Sequence, residues 1–422
     1  MANTREASLV FVFFGQNPSC QYIRYQWVDY SGILRARILT KDHCLELAAR
    51  REPLRCSDIC FQCLPNNVAL EVSAGVNHLL YPDWNSLRVL QPSGSRLSYA
   101  TVMCFIEGAS FKDTANNFNL CPRLSLERML NKAKDHHGIQ LLLGFEIEFY
   151  VLDRDFSGAF VPAMKDAHVE EVVSQLRKLG IQFQGCHIEG AHGQYEIVMH
   201  PLPPMQAIDE LLIAQDIIKT TFERVNLTAT MAPRPLKDRS SCGLHAHISI
   251  DAREHNNSFL AGILARLPEL CAITMPYPQS YSRVRQYEAG NKVCWGTENK
   301  KTPVRRVKDG HWEFRCLDAT ANPYLAISAI IAAGLKGVDD NMDLSWEDMS
   351  HYGSESPAWT AAEDLLAQLD QSFGALKGRL YEWGEMLQSD ILDWYTRLKE
   401  QEVNALQNLS ATELRELMLK WF

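Results

Sequence analysis

Gly144-Phe145-Glu146-Ile147-Glu148-Phe149-Tyr150 reads as one strand of a buried β-sheet. Leu141 to Leu143 precede it and Val151 follows, so the run is apolar except for two glutamates spaced two apart. Side chains at i and i+2 leave a strand on the same face, so Glu146 and Glu148 point together. Two such carboxylates repel each other and lose hydration, and a bound cation relieves both costs. A solvent-facing strand edge is the plainer alternative, and the flanking apolar residues speak against it.

Three downstream segments have the same texture. Glu189-Gly190-Ala191-His192-Gly193-Gln194-Tyr195-Glu196 sets two more carboxylates around a glycine-containing loop that enters a strand at Gln194. Gly243-Leu244-His245-Ala246-His247-Ile248-Ser249 puts two histidines on one strand face. His311-Trp312-Glu313-Phe314-Arg315 does the same for Glu313 and Arg315, with Asp318 and Asn322-Pro323-Tyr324 just beyond. Taken singly, these have bland readings as a polar loop, satisfied core histidines and a surface ion pair. Together they supply five glutamates and at least one imidazole, a hard donor set that suits Mg²⁺ or Mn²⁺ and not a structural zinc. Such ions are the usual partners of ATP phosphates. Arg283, Arg305 and Arg315 add forked donors for carboxylate or phosphate. No Walker-type glycine loop occurs, so phosphate binding falls to metals and arginines.

The flanking sequence divides into two textures. In the first hundred residues, Tyr22 to Asp29 and Ile33 to Leu39 alternate about Tyr30-Ser31-Gly32, which predicts a hairpin. A short helix is expected at Leu45 to Arg50, and strands at Val68 to Val72 and Thr101 to Ile106. The run Leu9 to Phe14 reads as a buried strand in preference to a signal peptide. From about Arg123, helices near 124–136, 167–179 and 205–225 alternate with strands at 140–152, 194–199 and 244–250. After Asn322 the chain reads as helical to Phe422. The predicted class is α+β, a small β-rich module ahead of a larger mixed domain.

The chain has 422 residues, 46% hydrophobic and 22% charged, with a net charge of −9. That balance is unsuited to neutralising nucleic-acid phosphates, and no apolar run has the length of a membrane span. Cys60 and Cys63 form a C-x-x-C near Cys56, but no second ligand pair stands at zinc spacing. Free thiols in a reducing cytoplasm are the expectation for the twelve cysteines.

The four acidic and histidine segments, in this order, resemble the catalytic domain of type I glutamine synthetases, from about Cys121 to Lys336. The resemblance implies a β-grasp-like domain over 1–110 and, over 111–422, a catalytic domain with a curved antiparallel sheet and helices. It implies one metal held by Glu148, Glu189 and Glu196 and another by Glu146, His245 and Glu313. Ser280-Tyr281-Ser282-Arg283 with Tyr287-Glu288-Ala289 is similar to the substrate arginine and closing flap: Arg283 would hold the substrate's α-carboxylate, and Glu288 would take a proton from the attacking amine. Arg315 matches the arginine facing the transferred phosphoryl group. His247, Ser249, Lys300 and Arg305 match nucleotide-side positions, and Trp295-Gly296-Thr297-Glu298-Asn299 matches the family's WGxEN. The implied activity is ATP-dependent joining of a carboxylate, that of glutamate by resemblance, to an amine through an acyl phosphate. The implied assembly is two stacked hexameric rings.

Four departures bear on substrate. No FDGS-type loop, the family's carboxylate source for ammonium, occurs; the corresponding region runs from Cys56 to Val72. Ser240-Ser241 replaces the Asn-Gly pair that contacts the amino-acid substrate. Lys300 and His311 each stand where an arginine is usual. The missing loop carboxylate shifts the expected acceptor from ammonia to a primary amine with an apolar body, whereas Ser240-Ser241 bears on the acid and Lys300 and His311 on ATP binding. The overall pattern resembles glutamine-synthetase-like proteins that make γ-glutamyl amides. The alternatives are an ordinary glutamine synthetase and an inactive structural or regulatory ring.

Overall fold

The computed structural model describes residues 4–61, 63, 77–91, 98–108, 119–153, 167–353 and 355–422. After helix α1 (Thr4–Gln16) come strands β1 (Cys20–Val28) and β2 (Leu34–Thr40), helix α2 (Lys41–Arg50), then β3 (Leu54–Ser57), β4 (Asn77–Pro82), β5 (Arg88–Leu90) and β6 (Ser98–Gly108). These strands form one sheet in the order β2-β1-β6-β4-β3, with β5 alongside β6. β1 and β2 are the expected antiparallel hairpin, and β1 runs parallel to β6. The hairpin turn is fixed by Asp29, whose Oδ1 accepts from the backbone N–H groups of Ser31 (3.0 Å) and Ile33 (2.9 Å). Gly32 takes φ +85°, and a Cβ there would lie 2.2 Å from the carbonyl oxygen of Thr320, so only glycine lets the turn pack against the backbone at Thr320. Helix α2 is capped by the Thr40 hydroxyl, which accepts from the His43 N–H.

Leu9 to Phe14 is helical, not a strand. Val10 and Phe14, one turn apart, are buried, whereas Leu9, Phe11 and Val12 are exposed. A short apolar run satisfies either period, and here packing beside α2 selects the helical one. The segment Val68 to Val72 lies outside the described residues.

The second sheet begins after α3 (Pro122–His137). Its strands are β7 (Leu141–Asp153), β8 (Phe183–Ile188), β9 (Gln194–Met199), β10 (Leu227–Thr230), β11 (Leu244–Ile250), β12 (Trp295–Thr297), β13 (Val304–Lys308) and β14 (His311–Phe314). Their order is β12-β13-β14-β11-β7-β9-β8, with β10 beside β7. Neighbours are antiparallel except β12 and β13. Helices α4 (Ala167–Lys178), α5 (Pro204–Glu223), α6 (Asn256–Ala265), α7 (Leu267–Thr274) and α8 (Pro323–Asp339) are interleaved with these strands or follow them. Asn322 caps α8 by accepting from Leu325 N–H, with Pro323 at its first turn. Five further helices, α9 (Pro357–Ala361), α10 (Leu369–Lys377), α11 (Leu380–Leu387), α12 (Ile391–Leu406) and α13 (Ala411–Trp421), complete the chain. The α+β class with a largely antiparallel second sheet is as expected. All twelve cysteines are free thiols. No described helix is long and apolar enough to cross a membrane.

Candidate active site

Strand register alone gathers the singled-out residues. Across β7 and β11, Glu146 stands opposite His245. Across β7 and β9, Glu148 stands opposite Glu196, which in turn faces His187 on β8. Across β11 and β14, His247 faces Glu313, and Glu313 faces Arg305 on β13. Directly opposed residues share a face, so one face of six adjacent strands carries nearly the whole set. The contacts agree: His245 Nδ1 is 3.0 Å from Glu146 Oε2 and 3.3 Å from Glu313 Oε1, and its Nε2 is 3.6 Å from Glu148 Oε1. Glu148 Oε2 accepts from Gly243 N–H at 2.8 Å. A Cβ on Gly243 would lie 2.6 Å from both Arg283 Nη2 and His245 Nε2, which explains glycine there.

The electrostatics of this face are unbalanced. Burial, and then the charges of Glu146, Glu148, Glu189 and Glu313, push the Glu196 carboxyl up to about 9. Burial also acts upward on Glu146, but hydrogen bonds from His245 and His247 outweigh it and hold that carboxyl well below the usual range. A crowded cluster of carboxylates in which burial and mutual repulsion push one carboxyl upward favours added positive charge. Three overlapping groups bring ligand atoms within 4.8 Å of one another: Glu146, His247 and Glu313; Glu146, Glu196 and His245; and His187, Glu189 and Glu196. The oxygen-rich donor set therefore fits hard divalent cations. His187, 3.3 Å from Glu189 Oε2 and 3.4 Å from Glu196 Oε1, was not singled out in the sequence. Its position opposite Glu196 becomes visible only with the pairing of β8 and β9.

These residues line the floor of a cavity of about 1190 Å³. Glu146, Glu148, Glu189, Glu196, His245, Glu313, Arg283, Glu288, Arg305, Arg315 and Lys300 all border it. His247 and Ser249 continue the same strand face outside the cavity wall. There His247 Nε2 meets Glu146 Oε1 at 2.9 Å and its Nδ1 meets His311 Nε2 at 3.0 Å, while Ser249 pairs in register with His311. Apolar lining is sparse, with Ala191, Val198 and the exposed ring of Tyr287 as its main members.

The rim opposite the carboxylates is basic. Arg315 pairs with Glu313 and donates to the carbonyls of Tyr287 (3.0 Å) and Glu288 (3.2 Å), tying the 285–288 segment to the floor. Glu288 is gripped by Arg234 Nη2 at 3.0 Å and Arg285 Nη2 at 2.9 Å. Despite partial burial, hydrogen bonds from Arg285 and Ser241 and the charge of Arg234 hold the Glu288 carboxyl below its ordinary range. Arg283 is fully buried, donates to the carbonyls of Leu317 (2.9 Å) and Arg315 (3.2 Å), and lies 3.6 Å from Asp318. Its guanidinium is thus already engaged by the protein on two sides, although the residue borders the cavity.

A sequence model described as the glutamine synthetase catalytic domain matches residues 119–417. The chain is 29% identical to protein fluG of Emericella nidulans over 97% of its own length, and spans 49% of that longer protein, about half. It is 30% identical to a glutamine synthetase of Methanocaldococcus jannaschii, over 69% of this chain and 73% of that one. It is 31% identical to the gamma-glutamylpolyamine synthetase GlnA3 of Streptomyces coelicolor, over 58% and 60% respectively. Among solved structures, a GmaS/ADP complex superposes with a TM-score of 0.81 over 97% of this chain and 98% of that one, at 21% identity. A glutamine synthase homolog does so with 0.80 over 96% and 99%, at 22% identity.

Proposed function

The chain belongs to the glutamine synthetase family, and on that premise we propose that it is an ATP- and divalent-metal-dependent ligase joining the γ-carboxylate of glutamate to an amine. The observation that carries the reading is the convergence of Glu146, Glu148, Glu189, Glu196, His245 and Glu313 on one cavity floor, with burial and mutual repulsion pushing the Glu196 carboxyl upward. Mg²⁺ or Mn²⁺ bound by these residues would offset their charge and that of the nucleotide's terminal phosphates. A carboxylate is a poor acyl donor because oxide is a hopeless leaving group. Phosphorylation repairs this: a carboxylate oxygen bonds to the γ-phosphorus and the bond to ADP breaks. The amine nitrogen then bonds to the acyl carbon, phosphate leaves, and the amine proton passes to Glu288. Arg315 faces the transferring group and holds the flap over it, which keeps water from the acyl phosphate. Arg305 and Lys300, with His247 and Ser249 beyond the wall, form the nucleotide side.

Arg283, proposed to grip the substrate's α-carboxylate, borders the cavity; Leu317, Arg315 and Asp318 hold its Nη groups, and its Nε has no hydrogen-bond partner among the described residues. The division at 1–110 and 111–422 is supported by the two separate sheets and by the family match beginning at 119. A homo-oligomer, a dodecamer of two hexameric rings by family resemblance, is part of the same proposal.

The deciding experiment supplies glutamate, ATP and Mg²⁺ with a panel of amines. It follows ADP release and a new amide by mass spectrometry. The expected result is amide formation with an organic amine at lower acceptor concentration than with NH₄⁺. Stimulation by NH₄⁺ alone would return the protein to ordinary glutamine synthesis.

A further inference from the structure

Beside Glu288, the group proposed to receive the amine proton, the cavity wall carries an excess of positive charge. Arg234 staples the loop that ends in Ser240-Ser241 to the flap. Its Nη1 donates to the Arg239 carbonyl (2.6 Å), its Nη2 to the Ser282 carbonyl (2.8 Å) and Glu288, and its Nε to Ser282 Oγ (3.0 Å). Burial, and the guanidiniums of Arg285 and Arg283 next to it, weaken Arg234's hold on its own proton although Glu288 opposes them. The staple brings the Lys237–Ser241 segment to the flap, so Lys237, Arg239 and Arg285 border the same cavity as Glu288.

These cations differ in what is left for a ligand. Arg283 is fully buried, and Arg234 is committed to protein partners. Arg285 shares Glu288 but its side chain is 53% exposed. Lys237 and Arg239 are exposed, and neither forms an ion pair among the described residues. Asp238 is the one carboxylate between them. A plain alkylammonium approaching Glu288 past Lys237, Arg239 and Arg285 therefore meets like charges, which an acceptor bearing a carboxylate would offset. Apart from the Tyr287 ring, only Ala191 and Val198 offer surface to an apolar body. The expected apolar amine fits this wall poorly.

We propose that the amine acceptor carries a carboxylate of its own, as an amino acid does, and that Lys237, Arg239 and Arg285 form the subsite that reads it. The proposal rests on the ligase reading above and names the acceptor class for the same site. The wall attracts such an acceptor by charge and holds it by charge-assisted hydrogen bonds. Its amine is left free to face Glu288.

The test compares three acceptors of equal carbon length, 4-aminobutyrate, butylamine and putrescine, with glutamate, ATP and Mg²⁺ and the wild-type protein. ADP release and the amide product are followed for each. The expected kcat/KM for 4-aminobutyrate is roughly tenfold or more above that for butylamine or putrescine, since one charged hydrogen bond carries about that factor. The advantage should shrink in high salt and collapse toward one in a Lys237→Gln/Arg239→Gln double variant. Isothermal titration of 4-aminobutyrate should show weaker binding to the same variant. Butylamine or putrescine used as well as 4-aminobutyrate, with ADP release intact, overturns the acceptor class and leaves the ligase standing. No ADP release with any amine sinks the ligase reading and this inference with it. The wild-type comparison needs no variant, so a variant that fails to fold leaves the outcome decided.

Discussion

Glu148 illustrates what a single side chain contributes here. It faces Glu196 across the sheet, lies 3.6 Å from His245 Nε2, and accepts from Gly243 N–H and Gln194 Nε2. Removing it takes one donor from the proposed cation site, and the strand around it keeps its apolar packing. Glu148→Ala is accordingly expected to lower ADP formation by about 100-fold or more while leaving the melting temperature without added ligands within a few degrees of wild type. Full turnover in this variant would remove Glu148 from the metal set. Gly243 makes the complementary point, because the obstacle to any larger residue is spatial. Gly243→Ala drives a methyl into Arg283 and His245, at an expected cost of about 1–3 kcal/mol. Denaturant unfolding measures that cost, and activity should fall further as His245 is displaced. Both consequences were legible in the sequence only in part. The i, i+2 spacing paired Glu146 with Glu148 and His245 with His247, but His187 and the engagement of Arg283 depend on strands and carbonyls distant along the chain.

At the scale of elements, the β1–β2 hairpin was readable from its alternation and its Gly32 turn. The turn's buried carboxylate was not. Asp29 lies fully inside the protein, bound to Arg35 Nε at 2.7 Å, and burial, only partly countered by Arg35, pushes its carboxyl up to about 6. A folded-state value above the unfolded one means that the folded protein binds the proton more tightly. This contribution to stability is full below about pH 4 and is lost as pH rises through about 6. Wild type should lose on the order of 2–3 kcal/mol over that interval relative to Asp29→Asn, measured by urea unfolding of both proteins at pH 4.5 and 7. Parallel pH profiles for the two would assign the effect elsewhere. Helix α1 marks the opposite limit of legibility. LVFVFF is short and apolar throughout, so neither the 2.0 nor the 3.6 period dominates, and burial of Val10 and Phe14 against the first module decided the matter.

For the whole molecule, the consequence of the cavity is linkage between ligand binding and global stability. Mg²⁺ or Mn²⁺ with ATP should raise the melting temperature of the intact chain, because ligands that bind only the folded state stabilise it by mass action; at 100 times Kd the gain is about 2.7 kcal/mol. Glu148→Ala should reduce the metal-dependent part. An inactive ring, the alternative left open by Lys300 and His311, should show no metal-dependent nucleotide stabilisation in a thermal-shift assay. By itself the sequence determined the α+β class, the hairpin, most of the strands that carry the acidic residues, and the pairing of those residues on strand faces, because periodicity and turn chemistry act over a few residues. Only the tertiary structure decided which strands lie side by side, that Glu196 is the carboxyl pushed upward by burial and repulsion, that Arg283 is occupied by backbone carbonyls, and that Lys237, Arg239 and Arg285 border the same cavity as Glu288. Those facts depend on distances between segments far apart in the chain, and electrostatic interactions follow distance and burial, which local sequence patterns do not encode.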